Sequence, residues 1–283
     1  MLGRLIKHEY KATWKIMCAV YAAVAAVTII GGLFYKFRLG VFEKLQESGV
    51  LSEAGFSEGL MNSLMAMITS AYVLILIAAA VGTVWFLAYR FFKSCYGDEG
   101  YLTQMLPAQK HDIILSKTIT AWTWIFGETL LTVVSILNFV FVAVGENADI
   151  LDVAEVVEEM NDIFDIGVLP IILTILVWLV DSVAEILKVY AAISLGQTSG
   201  KHKVLMSILW YVAFYIMIQI AGSMIFAAGS MFSLMRADTM PSEAVFRSVY
   251  NGILFGTLII NLVICALGYL VTRYGMERNL NLE

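Results

Sequence analysis

Charge is what this sequence has least of. Only 14% of its 283 residues are Asp, Glu, Lys or Arg, against 60% hydrophobic, and the mean hydropathy is +0.82. A soluble chain of this length carries about a quarter of its residues charged, so a water-exposed globule is excluded and an integral membrane protein is expected. Cysteine is also scarce: Cys18, Cys95 and Cys265 lie in or beside separate apolar runs without CxxC spacing. That argues against a redox or metal motif and favours small packing residues. No GxxxxGK[ST] phosphate loop, HExxH or GxSxG occurs, and His8, His111 and His202 are unclustered. The chain therefore does not bind ATP by that route, no metal or cofactor is expected in it, and nothing in it requires an enzyme. The basic residues are scattered over several flanking segments without the continuous patch that nucleic acid would need.

What is present is a succession of charge-free runs, each long enough to cross a hydrocarbon core of about 30 Å. Ile16 to Tyr35 has no charge over 20 residues and is longer than the apolar core of a cleaved signal peptide. Further spans are expected at about 67–89, 118–145, 168–193, 204–226 and 248–272, giving an all-α integral membrane protein of six transmembrane helices in a single transmembrane domain. The run from Val204 to Met235 is longer than one span needs, and Gly222 and Gly229 predict a break followed by a re-entrant or interfacial helix. Residues 146–167 carry eight acids and no base, with apolar residues recurring at helical spacing, which predicts an acidic amphipathic segment outside the core.

At the N-terminus, residues 1–15 place Leu2, Leu5, Ile6, Tyr10 and Trp14 on one helical face and Arg4, Lys7, Lys11 and Lys15 on the other. Two readings fit this amphipathic helix: an interfacial element that serves a cytoplasmic partner, or a basic flank that fixes topology. Both put the N-terminus in the cytoplasm. With six spans the C-terminus shares that side, and thirteen of the 18 Lys and Arg then fall inside against five outside. The bias supports cytoplasmic termini, a cytoplasmic stretch at 90–117 and an extracellular acidic segment.

Four charges fall inside the expected spans. Glu128 lies eleven residues past Lys117, near mid-bilayer, while Asp181, Glu185 and Lys188 share one face of the fourth span at i, i+4 and i+7. Carboxylates in hydrocarbon cost several kcal/mol unless they face protein or water. Glu185 and Lys188 satisfy each other and read as a static pair; Glu128 and Asp181 have no local base and read as the wall of a polar cavity. In the sixth span, Gly252-x-x-x-Gly256 would let a partner helix approach closely.

The most organised polar stretch is RFFKSCYGDEGYLTQMLPAQKHDIILSK, residues 90–117. It holds a glycine-bounded acidic turn, Gly97-Asp98-Glu99-Gly100, followed by Leu106-Pro107 opening an amphipathic helix that runs to Lys117. That is more structure than a soluble connection needs, and it reads as a docking element. This loop, together with the N-terminal LIKHEYKATW, the AAISLGQTSGKHKVL connection and the closing ERNLNLE, resembles ABC-2 type exporter permeases, the six-span bacterial proteins common in Firmicutes. The resemblance covers essentially the whole chain. It implies a subunit of the bacterial cell membrane that pairs with a second permease copy and with two separate ATP-binding subunits, which hold the ATP and Mg. It further implies that the loop between spans 2 and 3 carries a coupling helix, here Tyr101, Leu102, Met105, Leu106, Pro107 and Lys110, with a shorter second contact at 196–203 that includes Lys201 and Lys203. Amphipathic peptides, toxin or antimicrobial, and lipid-like molecules are the substrates it suggests. Two readings from other classes stand beside it: a proton-coupled secondary transporter using Glu128 and Asp181, and a membrane sensor or assembly protein.

Overall fold

The computed structural model describes residues 2–47, 58–97, 100, 109–144, 168–198, 202–236 and 242–278. Among these the chain is helical throughout, with no strand: α1 Leu2–Glu47, α2 Glu58–Cys95, α3 Lys110–Val144, α4 Val168–Gly196, α5 Lys203–Arg236 and α6 Ser242–Arg278. Each helix contains a stretch long and apolar enough to cross a membrane. The reason is that a spanning segment must satisfy every backbone polar group internally. Large apolar side chains on all six, such as Ile30, Leu74, Leu137, Ile172, Met217 and Ile259, stand exposed, as a lipid-facing surface requires. The protein is a multi-pass membrane protein.

The helices run past the charge-free cores that define the expected spans. Arg90 to Cys95 belongs to α2 and Lys110 to Lys117 to α3, so both ends of the 90–117 stretch are helix. The described part of the amphipathic segment ending at Lys117 is thus the first turns of α3 rather than a separate helix. Its start is marked by Gln109, whose carbonyl accepts from the Asp112 and Ile113 amides, and by Asp112 as an acid in the first turn. Likewise α1 passes without interruption from the basic turns into the first span, so residues 1–15 and 16–35 form one element among the described residues. The expected break after the fifth span is not found: α5 is continuous through Gly222 and Gly229. Glycine in a spanning helix loses no backbone bonds, and neighbouring helices make it tolerable. Residues 101–108, Lys201 and the acidic segment 146–167 lie outside the described residues.

Two compact units divide the chain, one made of Tyr10–Trp85 and Thr123–Ile150, the other of Met1–Glu9, Phe86–Trp122 and Leu151–Glu283. In the first, Val24, Tyr72 and Leu76 form a buried core against which Leu131 and Phe139 pack, with the Tyr72 and Phe139 rings stacked at 5.0 Å. A directed hydrogen-bond chain crosses that core. Thr28 gives its only hydroxyl proton to the Val24 carbonyl at 2.8 Å, so Ser135 must donate to Thr28 at 2.6 Å and Tyr72 to Ser135 at 2.5 Å. Three helices are joined by one proton order.

In the second unit α4, α5 and α6 pack on one another. Gly268 lies against Leu187 and Gly275 against Ser194, so the two contacts recur at the same seven-residue spacing on α6 and α4. Equal spacing in the same direction means that the two helices run parallel, with small residues letting their backbones approach. Gly256, by contrast, abuts only the Ile225 side chain of α5, and Gly252 has nothing within 4 Å.

Candidate functional site

In the second unit, the junction of the N-terminal turns with α2, α3 and α4 is polar, buried and built around Glu9. Its Oε1 accepts from Lys117 Nζ at 2.5 Å, and its Oε2 lies 3.7 Å from Arg90 Nε. Lys117 is 5% exposed, and the Glu9 carboxylate is what makes burial of an ammonium there tolerable. Behind this pair Phe91 stacks on Tyr190 at 3.8 Å, the Tyr190 hydroxyl donates to the Lys117 carbonyl at 3.4 Å, and Cys95 is buried. Tyr96 donates to Ser194 at 2.8 Å. Burial holds the Tyr96 phenol well above its ordinary range.

Where α2 ends, the chain turns on glycine. Gly97 N–H reaches the Phe92 carbonyl at 3.0 Å and Gly100 N–H reaches the Gly97 carbonyl at 2.8 Å. A Cβ on Gly97 would lie 2.9 Å from the Lys93 carbonyl oxygen, and one on Gly100 would lie 2.7 Å from that of Cys95. Neither position has room for a side chain, which explains the glycine at each end of the acidic turn. On the other side of the loop, Lys110 donates to the Met276 carbonyl at 2.9 Å, near the end of α6, and His111 Nδ1 hydrogen-bonds the Tyr269 hydroxyl at 2.6 Å. The Lys110 ammonium thus supports a helix C-terminus, where a cation is favoured. The second connection carries one left-handed residue, His202 (φ 60°), whose carbonyl accepts from Met206 as α5 begins.

The polar row on α4 resolves into two parts. Glu185 is ion-paired with Lys188 and accepts a hydrogen bond from the Tyr211 hydroxyl of α5 at 2.6 Å, so both of its oxygens are engaged. Asp181 stands apart, exposed, with Asn261 of α6 beside its carboxylate. The Asn261 side chain is 4% exposed and its Nδ2 closes no hydrogen bond of ordinary geometry. Next to Asp181, Ser182 Oγ accepts from Trp122 Nε1 at 2.9 Å, which fixes the rotation of α4 at this level.

Glu128 lies in the first unit and is 5% exposed, with Thr83 as its nearest polar side chain. Its Oε1 and the Thr83 Oγ1 are buried and without hydrogen-bond partners. Nearby, Tyr21 donates to the Trp124 carbonyl at 2.5 Å and its hydroxyl fills the space above Gly127. Glu128 and Asp181 therefore occupy separate units and different surroundings.

Glu9, Asn261 and Tyr211 have no counterpart in the sequence reading. Glu9 is the single acid among the first 42 residues, and an isolated acid on the apolar face, beside Leu2, Leu5 and Ile6, is the signal that points to it. Asn261 stands out only as an amide inside an uncharged run. Tyr101, Leu102, Met105, Leu106, Pro107 and Lys201 lie outside the described residues, while Lys203 is exposed at the first turn of α5. Among the described residues no group of three His, Cys, Asp or Glu side chains is placed to hold a metal ion. Comparison of the chain with protein-family models, with curated proteins and with solved structures finds no match.

Proposed function

We propose that this chain is the transmembrane permease subunit of an ATP-driven exporter of ABC-2 type, working with a second permease copy and two separate ATP-binding subunits. The observation that carries this reading is the Glu9, Lys117 and Arg90 knot: a buried ionic junction that ties the N-terminal turns to both helices flanking the 96–109 loop. A connection between spans that only had to be soluble would not need its base anchored in this way. The absent phosphate loop gives the anchored loop a reason to meet an ATPase, and the charge bias supports the reading that it lies, with both termini, on the cytoplasmic side. In this reading the N-terminal turns form the amphipathic interfacial helix and Tyr101 to Lys110 the coupling segment. The cargo is an amphipathic peptide or a lipid-like molecule that leaves along apolar helix surfaces.

The test is co-expression with an ABC-type ATP-binding subunit. A stable complex is expected, and Leu106→Asp with Pro107→Gly is expected to bring permease-stimulated ATP hydrolysis down to the level of the ATP-binding subunit alone. Unchanged stimulation would remove 101–110 as the docking segment. Transport driven by a proton gradient, with no ATPase in the purified complex, would replace the reading altogether.

A further inference from the structure

Asp181 is an exposed carboxylate within a span that no ion pair answers among the described residues. It lies thirteen residues after the start of α4 and fifteen before its end, and thus close to the bilayer midplane. Lys188, the base nearest in sequence, is two turns away, roughly 10 Å along the axis, and is already paired with Glu185. Among the described residues no Lys, Arg or His ion-pairs with Asp181. The carboxylate is nevertheless exposed, while the amide behind it is buried and holds an unused donor. An ionisable group in this position is retained only where it meets something.

The chemistry of the surroundings narrows what that something is. A hard dication needs six or more oxygens, and here there is one carboxylate with no second acid but Glu185, whose oxygens are spoken for. A single organic cation needs one counter-charge and an apolar wall for whatever carries it. α4 supplies that wall: Val177 and Trp178, four and three residues before Asp181, share its face as half-buried apolar side chains.

We propose that Asp181, with Asn261 beside it, is an intramembrane acceptor for the primary ammonium of a membrane-dissolved amphiphile. The carboxylate takes the N–H groups of the amine, and Asn261 is a positioning residue whose unused Nδ2–H closes on the carboxylate once the amine is bound. As a description of the exporter's cargo this rests on the function proposed above. As a binding site it stands on α4 and α6 alone and is tested without any ATP-binding subunit.

The probe is a C18 primary amine carrying a diazirine on its chain, photo-crosslinked to the purified full chain in phosphatidylcholine nanodiscs, with the matching C18 alcohol as its neutral counterpart. The amine is expected to label α4 and α6 peptides about tenfold more than the alcohol, the size of effect that one desolvated charge-assisted contact produces. Asp181→Asn is expected to remove that difference and Asp181→Glu to retain it. Asn261→Leu is expected to reduce amine labelling without raising that of the alcohol. Equal labelling by amine and alcohol in the unsubstituted chain would overturn the site, and so would amine labelling that survives Asp181→Asn. Loss of a cross-linked dimer in Asp181→Asn, with labelling unchanged, would assign the carboxylate to a second copy instead. Because the contrast between amine and alcohol is read on the unsubstituted chain, the test does not depend on the Asn variant folding. Competition by added phosphatidylethanolamine identifies a lipid headgroup as the source of the amine, and competition by a lysine-containing amphipathic peptide identifies a peptide. If the amine contrast holds but no ATPase co-purifies, the site stands and the exporter reading falls; the reverse result separates them the other way.

Discussion

Glu9→Ala is expected to destabilise the protein by about 3–5 kcal/mol, the cost of leaving a buried charge without its partner. Glu9 faces Lys117 at 2.5 Å and Arg90 at 3.7 Å, so its removal leaves the Lys117 ammonium, 5% exposed, without its counter-charge and takes one carboxylate contact from Arg90. Lys117→Met is the milder change, because Arg90 remains to answer the carboxylate and the methionine fills the channel of the lysine stem. Glu9→Leu combined with Lys117→Met recovers most of the loss, since a pair replaced on both sides leaves no uncompensated charge. The measurement is thermal unfolding in detergent, with a fall of roughly 10 °C or more expected for Glu9→Ala. If Lys117→Met proved the more harmful of the two, Glu9 would not be the hub of this junction.

The second large effect concerns glycine. Gly275→Ala would bring a Cβ to 2.7 Å from the Ser194 Cβ and 3.4 Å from the Tyr96 hydroxyl. Neither α4 nor α6 yields without disturbing the other contact of the pair, Gly268 on Leu187. Overpacking of this kind costs about 1–3 kcal/mol, and loss of the Tyr96–Ser194 hydrogen bond adds about 1 kcal/mol. Gly252→Ala is the control: with nothing within 4 Å of the added methyl, it is expected to be neutral or to stabilise α6 by about 0.5–1 kcal/mol through helix propensity. Resistance to unfolding in a graded detergent series ranks the two variants, and equal losses would mean that the α4–α6 approach is not where the glycine matters.

Those two positions also mark how far the sequence could be read. The existence of six apolar helices follows from runs without charge, a signal strong enough to survive any detail of packing. Their ends do not follow, because helix continues past the hydrocarbon wherever side chains can reach partners: α2 gains Arg90 to Cys95 and α3 gains Lys110 to Lys117, and both extensions carry members of the Glu9 knot. The four-residue spacing of Gly252 and Gly256 matches a known close-approach pattern, yet the contact in this unit is the seven-residue pair Gly268 and Gly275. A glycine reports only the absence of a side chain, and which face it lies on is decided by the register of another helix. On α4, the static pairing of Glu185 with Lys188 was legible because its partners are three residues apart. The assignment of Glu128 and Asp181 to different units was not, because nothing local in the sequence marks it.

The continuity of α1 has a mechanical meaning. Its 46 residues extend about 69 Å if straight, more than twice the hydrocarbon thickness. From residue 4 to residue 30 it contains neither proline nor glycine, the usual causes of a kink. Residues 10–30 therefore form one stiff rod of about 30 Å, as long as the hydrocarbon is thick. The first span has no joint of its own along that length, so it tilts whole or not at all.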